Sequence, residues 1–192
     1  MNTKAAMIGG VAALLAATSC LADVVWDEDI DGSLSLERFM PTYFGTLDEG
    51  SNNLICDTQN GISKFFSLTI GEGQELSAII LDDWISEDDL GFLGVVYGDV
   101  FWVDPANPNV TDLLGYVHHG ETTVGQDILP AMGQGPGSQG FVGALGPGDY
   151  SFWIRQGGAQ LTTQDLNFVV TPAPGAVALM GLAGVASRRR RR

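Results

Sequence analysis

Glycine and Asp/Asn clusters interrupt residues 23–171 about every ten positions, and no convincing helical period runs between them. Strand signals dominate instead. Residues 64–70 place Phe66, Leu68 and Ile70 on one face and Ser67 and Thr69 on the other. A Gly71–Gly73 turn leads into residues 75–81, apolar enough for a central strand, and residues 92–97 read as a third. Gly146, Pro147 and Gly148 make a turn from which residues 150–154 alternate, and residues 166–170 close the domain. Two stretches are expected outside strands: a long loop over 103–112, with Pro105 and Pro108, and the Gly-rich 132–148, bending around a sheet edge. The spacing predicts an all-β fold, an antiparallel β-sandwich or jelly roll.

The two ends follow other rules. Residues 1–22 have Lys4, an apolar run and small residues before Asp23, the pattern of a secretory signal helix cleaved between Ala22 and Asp23. Lipidation at Cys20 is the alternative, but Ala17 stands where a lipoprotein signal usually has Leu. At the other end Pro172, Ala173 and Pro174 break the chain. A twelve-residue apolar segment, 175–186, follows, and then Arg188, Arg189, Arg190, Arg191 and Arg192. As a helix that segment reaches roughly 18 Å, well short of a hydrocarbon core of about 30 Å. The arginines hold the cytoplasmic side, so the tail reads as a weak stop-transfer helix with everything upstream exported. The chain thus divides into a signal segment (1–22), a domain (23–171) and a tail (172–192).

The tail resembles a PEP-CTERM sorting signal in its Pro-x-Pro tripeptide, short apolar helix and arginine cluster, with Ala173 where that family has Glu. The resemblance implies handling by the export machinery and then by an exosortase-type processing enzyme. It also implies transient inner-membrane tethering and delivery to the cell surface or extracellular matrix. Over residues 60–170, the run from Phe65 to Leu81 and the Leu145–Ile154 segment resemble the bacterial pre-peptidase C-terminal type of β-sandwich. That resemblance implies an accessory scaffold or binding module.

Charge separates the ends from the middle. Outside the two terminal segments the only basic residues are Arg38, Lys64 and Arg155, against 23 acidic ones, a formal charge of −20. Nucleic acid is excluded as a partner, and cations are attracted. With Cys20 in the signal, Cys56 is the single mature cysteine and is expected to be buried and inert.

Three constellations are candidates for chemistry. Asp82 and Asp83 are expected to end a strand, with Glu87, Asp88 and Asp89 in the loop after it. Such carboxylates read either as a solvated acidic loop or as a Ca²⁺ site, because Ca²⁺ takes six to eight oxygen ligands. Trp84 and Trp102 border loops and are candidates for stacking on a polysaccharide, whereas Trp153 belongs to a core. His118 and His119 are expected in a surface turn, pointing oppositely and so not chelating one metal. Neither Gly-x-Ser-x-Gly nor His-Glu-x-x-His occurs, and no enzymatic activity is indicated. The expected function is therefore an exported, non-catalytic surface or matrix protein with no required cofactor. The alternative is a carbohydrate- or calcium-binding module.

Overall fold

The computed structural model describes residues 23–175; the signal segment through Ala22 and the tail from 176, with its five arginines, lie outside the described residues. The fold is built from β1 (Asp23–Asp27), β2 (Thr42–Thr46), β3 (Gly50–Thr58), β4 (Ser63–Ile70), β5 (Gln74–Ile85), β6 (Gly91–Tyr97), β7 (Gly115–His119), β8 (Gly148–Gln156) and β9 (Thr162–Pro172). Two short helices, α1 (Glu28–Asp31) and α2 (Leu129–Gly133), lie in the connections. The strands form a four-stranded sheet, β1-β3-β9-β5, packed on a five-stranded sheet, β2-β4-β8-β6-β7.

The sandwich is antiparallel at its centre and mixed at two edges, because β1 pairs β3 in parallel and β2 pairs β4 in parallel. The cause is topological. The chain alternates between sheets from β1 to β4, so each edge strand is separated from its partner by a strand of the opposite sheet. That detour supplies the crossover a parallel pair requires.

Alternation explains the core. Leu54, Leu166 and Leu81 align in register across one sheet, and Phe66, Phe152 and Val95 across the other; all are fully buried. Phe66 and Phe152 stack at 4.9 Å, and both meet Phe168 of the facing sheet edge-on, at 5.8 and 5.6 Å. The expected 64–70 alternation is met, with Ser67 and Thr69 opposite the core face. Strands β4 and β8 are apolar on both faces for a second reason. Phe65 and Trp153 join Val96, Phe101, Val103 and Leu113 in a smaller outer cluster. The loop expected over 103–112 contains a 3-10 turn, Val110–Asp112, and this region supplies Val103 to that cluster.

The Gly-rich region departs from a plain loop, since residues 132 and 133 finish α2, which buries Leu129 and Met132. Beyond it the chain covers edges. Gln139 and Gly140 donate to Leu113 O and Leu114 O, and Leu145 exchanges backbone bonds with Leu76 at 2.8 and 3.0 Å on the β5 edge. A strand edge so covered offers less unpaired backbone to another chain.

Candidate functional site

The acidic residues singled out by sequence do not converge. Asp82 and Asp83 do not close β5; a register shift between Leu81 and Asp83 lets the strand continue to Ile85. Asp83 Oδ1 accepts from the Trp84 backbone N–H at 2.8 Å, and Asp82 turns toward Asn53, 3.5 Å from Oδ2 to Nδ2. Glu87 is exposed in the following loop. Asp88 Oδ2 accepts the Gln160 N–H at 2.6 Å, whereas Asp89 Oδ2 accepts from Thr122 Oγ1 at 3.4 Å. Asp88 and Asp89 therefore clasp two different loops, against Gly158 and Gly120 respectively, where an added Cβ would collide with each carboxylate. Among the described residues no three His, Cys, Asp or Glu side chains gather to hold a metal ion.

The two candidate stacking residues separate as well. Trp84 is 6% exposed, its Nε1–H donates to Asp88 O at 2.9 Å, and its ring meets the His119 edge at 5.4 Å. It is a packed interior residue. Trp102 is 45% exposed, and its carbonyl accepts from Arg38. Trp153, expected in a core, is buried in the outer cluster.

His118 and His119 do point oppositely, but they lie in β7 and not in a surface turn. His119 enters the sandwich because its partner in β6 is Gly91, which leaves room for the imidazole. Its Nε2 lies 2.7 Å from Gln164 Oε1, and Gln164 Nε2 donates to Thr58 Oγ1 at 3.0 Å. That second bond orients the amide, so His119 carries its proton on Nε2. Burial lowers its pKa to about 4, with the Gln164 bond and the Asp89 charge opposing. Gln156 donates to Thr162 at 2.7 Å in the same buried polar region.

Nearby, Lys64 Nζ pairs with Glu28 Oε2 at 2.6 Å beside a cleft of about 360 Å³ lined by both residues, Ser33 and Asp57. Cys56 is 1% exposed, as expected, and burial followed by the Glu28 charge pushes its thiol pKa well above the ordinary value.

Sequence patterning overlooked a different surface. Phe39 and Tyr43, 57% and 59% exposed, line a cleft of about 360 Å³ with Pro41, Ser67, Asp99 and Asp149. Thr69 Oγ1 donates to Asp149 Oδ1 at 2.6 Å and lies 3.0 Å from Tyr43 Oη, which orients the phenol. The Arg38 guanidinium lies 4.3 Å over the Phe39 ring centroid. Exposed aromatic faces beside acceptor oxygens suit a neutral sugar: the rings take its apolar C–H face and the carboxylates its hydroxyls. The only legible signal was the presence of two aromatics in a segment without strand alternation. Their convergence with Asp99 and Asp149 depends on tertiary packing.

No protein-family model, curated protein or solved structure matches this chain.

Proposed function

We propose that this protein is an exported, non-catalytic β-sandwich of the cell surface or extracellular matrix, sorted and cleaved through its C-terminal tail by an exosortase-type enzyme. The observation that carries the reading is where the last strand ends: β9 closes at Pro172, the first residue of the tripeptide. The expected C-terminal cut therefore borders the sandwich. Pro172 and Pro174 are exposed, and the Ala173 N–H donates to Gly73 O at 2.7 Å. The tripeptide thus lies at the surface at the end of β9. The high acidic excess supports a soluble, self-repelling module after both basic ends are removed.

Mass spectrometry of the protein isolated from its native cell tests this. The expected product begins at Asp23 and ends near Pro172–Pro174. Surface protein still carrying Arg192 would overturn the processing step.

A second reading, polysaccharide binding, is favoured by the Phe39–Tyr43 cleft in place of the Trp84–Trp102 pair. A glycan array followed by titration of Tyr43→Ala tests it. Binding of a neutral glycan, weakened at least tenfold by the substitution, is the expected result; a blank array removes this reading.

A further inference from the structure

We propose that the outer face of the five-stranded sheet binds a small aromatic carboxylate, one ring bearing one carboxylate, in a cavity between Arg155, Trp153, Phe92 and His118. The cavity measures about 220 Å³, and Leu90 and Gly157 complete its lining. An apolar site of about 150 Å³ holds benzene, so the room suits a single substituted ring. Cross-strand register builds it. Arg155 of β8, Phe92 of β6 and His118 of β7 stand in one row. Trp153 lies two residues before Arg155 on β8 and so shares its face. The β6 partner of Trp153 is Gly94, where an added Cβ would lie 3.1 Å from both Cε1 and Cζ of Phe92. The Phe92 ring therefore leans along β6 over Gly94, toward Trp153 at 4.5 Å and Tyr116 at 5.8 Å. That lean vacates room beside Arg155 and His118.

The cavity lacks a counter-charge. Its lining has one permanently charged group, the Arg155 guanidinium, and no carboxylate. The other two basic residues of the domain are engaged: Lys64 pairs with Glu28, and Arg38 donates to the Trp102 carbonyl. Arg155 is half-buried and makes no side-chain hydrogen bond or ion pair among the described residues, although the chain carries 23 acids. In the neighbouring loop, Asp88 is turned to the Gln160 N–H and Asp89 to Thr122. The Trp153 indole N–H is also buried, with no acceptor among the described residues. Donors without acceptors, on residues that also supply apolar rings, are complementary to an anion with an apolar body.

A planar guanidinium takes a carboxylate through two parallel N–H···O bonds, and the Trp153 and Phe92 rings offer offset or edge contacts to a ligand ring. A cationic ligand is repelled by Arg155, and a neutral ring leaves the guanidinium donors unspent. For a ligand as small as benzoate the expected Kd is about 0.1–1 mM. The site is independent of export and of the Phe39–Tyr43 cleft, with which it shares no lining residue.

The test titrates the full-length chain with benzoate and follows the assigned indole N–H resonance of Trp153. Benzoate should shift that resonance saturably, and benzyl alcohol and acetate should each bind at least about tenfold more weakly. Arg155→Met, which keeps an apolar stem, should weaken benzoate at least about tenfold and leave benzyl alcohol within about twofold. Tyr43→Ala, in the other cleft, should leave benzoate binding unchanged; its loss there would place the site elsewhere and sink the proposal. A wild-type Trp153 resonance unmoved at about ten times the expected Kd would overturn it even if Arg155→Met failed to fold. Equal affinity for benzoate and acetate would overturn it too, leaving an exposed cation that makes no use of the rings. So would undiminished benzoate binding by Arg155→Met.

Discussion

Lys64 and Glu28 form an ion pair whose side chains are only 10% and 9% exposed, and it fastens the segment after β1 to the end of the sandwich. Glu28 Oε1 also accepts the Leu34 N–H at 2.6 Å, and Oε2 accepts the Asp57 N–H at 2.7 Å. One carboxylate therefore joins α1, β3 and β4. Glu28→Gln leaves a buried ammonium without its counter-charge and should cost about 3–5 kcal/mol in urea unfolding. The double variant Glu28→Gln/Lys64→Met should lose less than the sum of the two single variants. Additive losses would show that the two residues act independently.

His119 makes stability depend on pH. Its folded pKa, about 4, lies below the ordinary value of 6.5, so the unfolded chain takes up the proton first as pH falls. The contribution is complete above about pH 6.5 and is lost between that value and about pH 4, on the order of 3 kcal/mol in all. Asp165 has the opposite sign: its folded pKa is raised, so its contribution is lost as pH rises through that value. Urea midpoints measured from pH 7 to 4.5 should fall more steeply for wild type than for His119→Gln. Identical slopes would remove His119 as the cause.

Cys56 should be chemically silent in the folded protein. Its thiol is buried and strongly disfavoured as thiolate. A mature chain beginning at Asp23 should show no reaction with an aromatic disulfide reagent at pH 8 and one equivalent after denaturation. Rapid labelling of the native form would mean that the β3 end opens readily.

Gly91→Ala tests the packing that admits His119. A Cβ at Gly91 would lie 2.8 Å from His119 Nε2, 2.8 Å from Trp84 Cη2 and 2.9 Å from the His119 carbonyl oxygen. Two of those atoms belong to packed rings and one to backbone, so overpacking of about 1–3 kcal/mol is expected. A lowered thermal midpoint with a smaller pH dependence would show that His119 had been expelled.

Legibility differed from strand to strand. β4 and β8 were readable because Phe66, Leu68 and Ile70, and Phe152 and Ile154, repeat with the two-residue period of a pleated face. β5, β6 and the end of β9 were readable as short apolar runs, although β5, expected at the centre, lies at a sheet edge. β3 was not, since its inward positions include Asn52, Cys56 and Thr58, which interrupt the apolar pattern. β7 was hidden by a histidine that points inward opposite a glycine. The polar residues are tolerated there because Asn52 donates to Phe168 O and the Gln164 amide joins Thr58 to His119.

The sequence alone determined the class of fold and the electrical character of the domain, because alternation and charge are local properties of the chain. It also carried the expectation of processing at Asp23 and Pro172. Only the tertiary structure decided which acids meet. The register shift between Leu81 and Asp83, together with the alignment of β3 on β9, sets Asp82 and Asp165 on the Asn53 amide and turns Asp88 and Asp89 to other loops. Those neighbours come from cross-strand register between distant segments, which spacing along the chain does not encode.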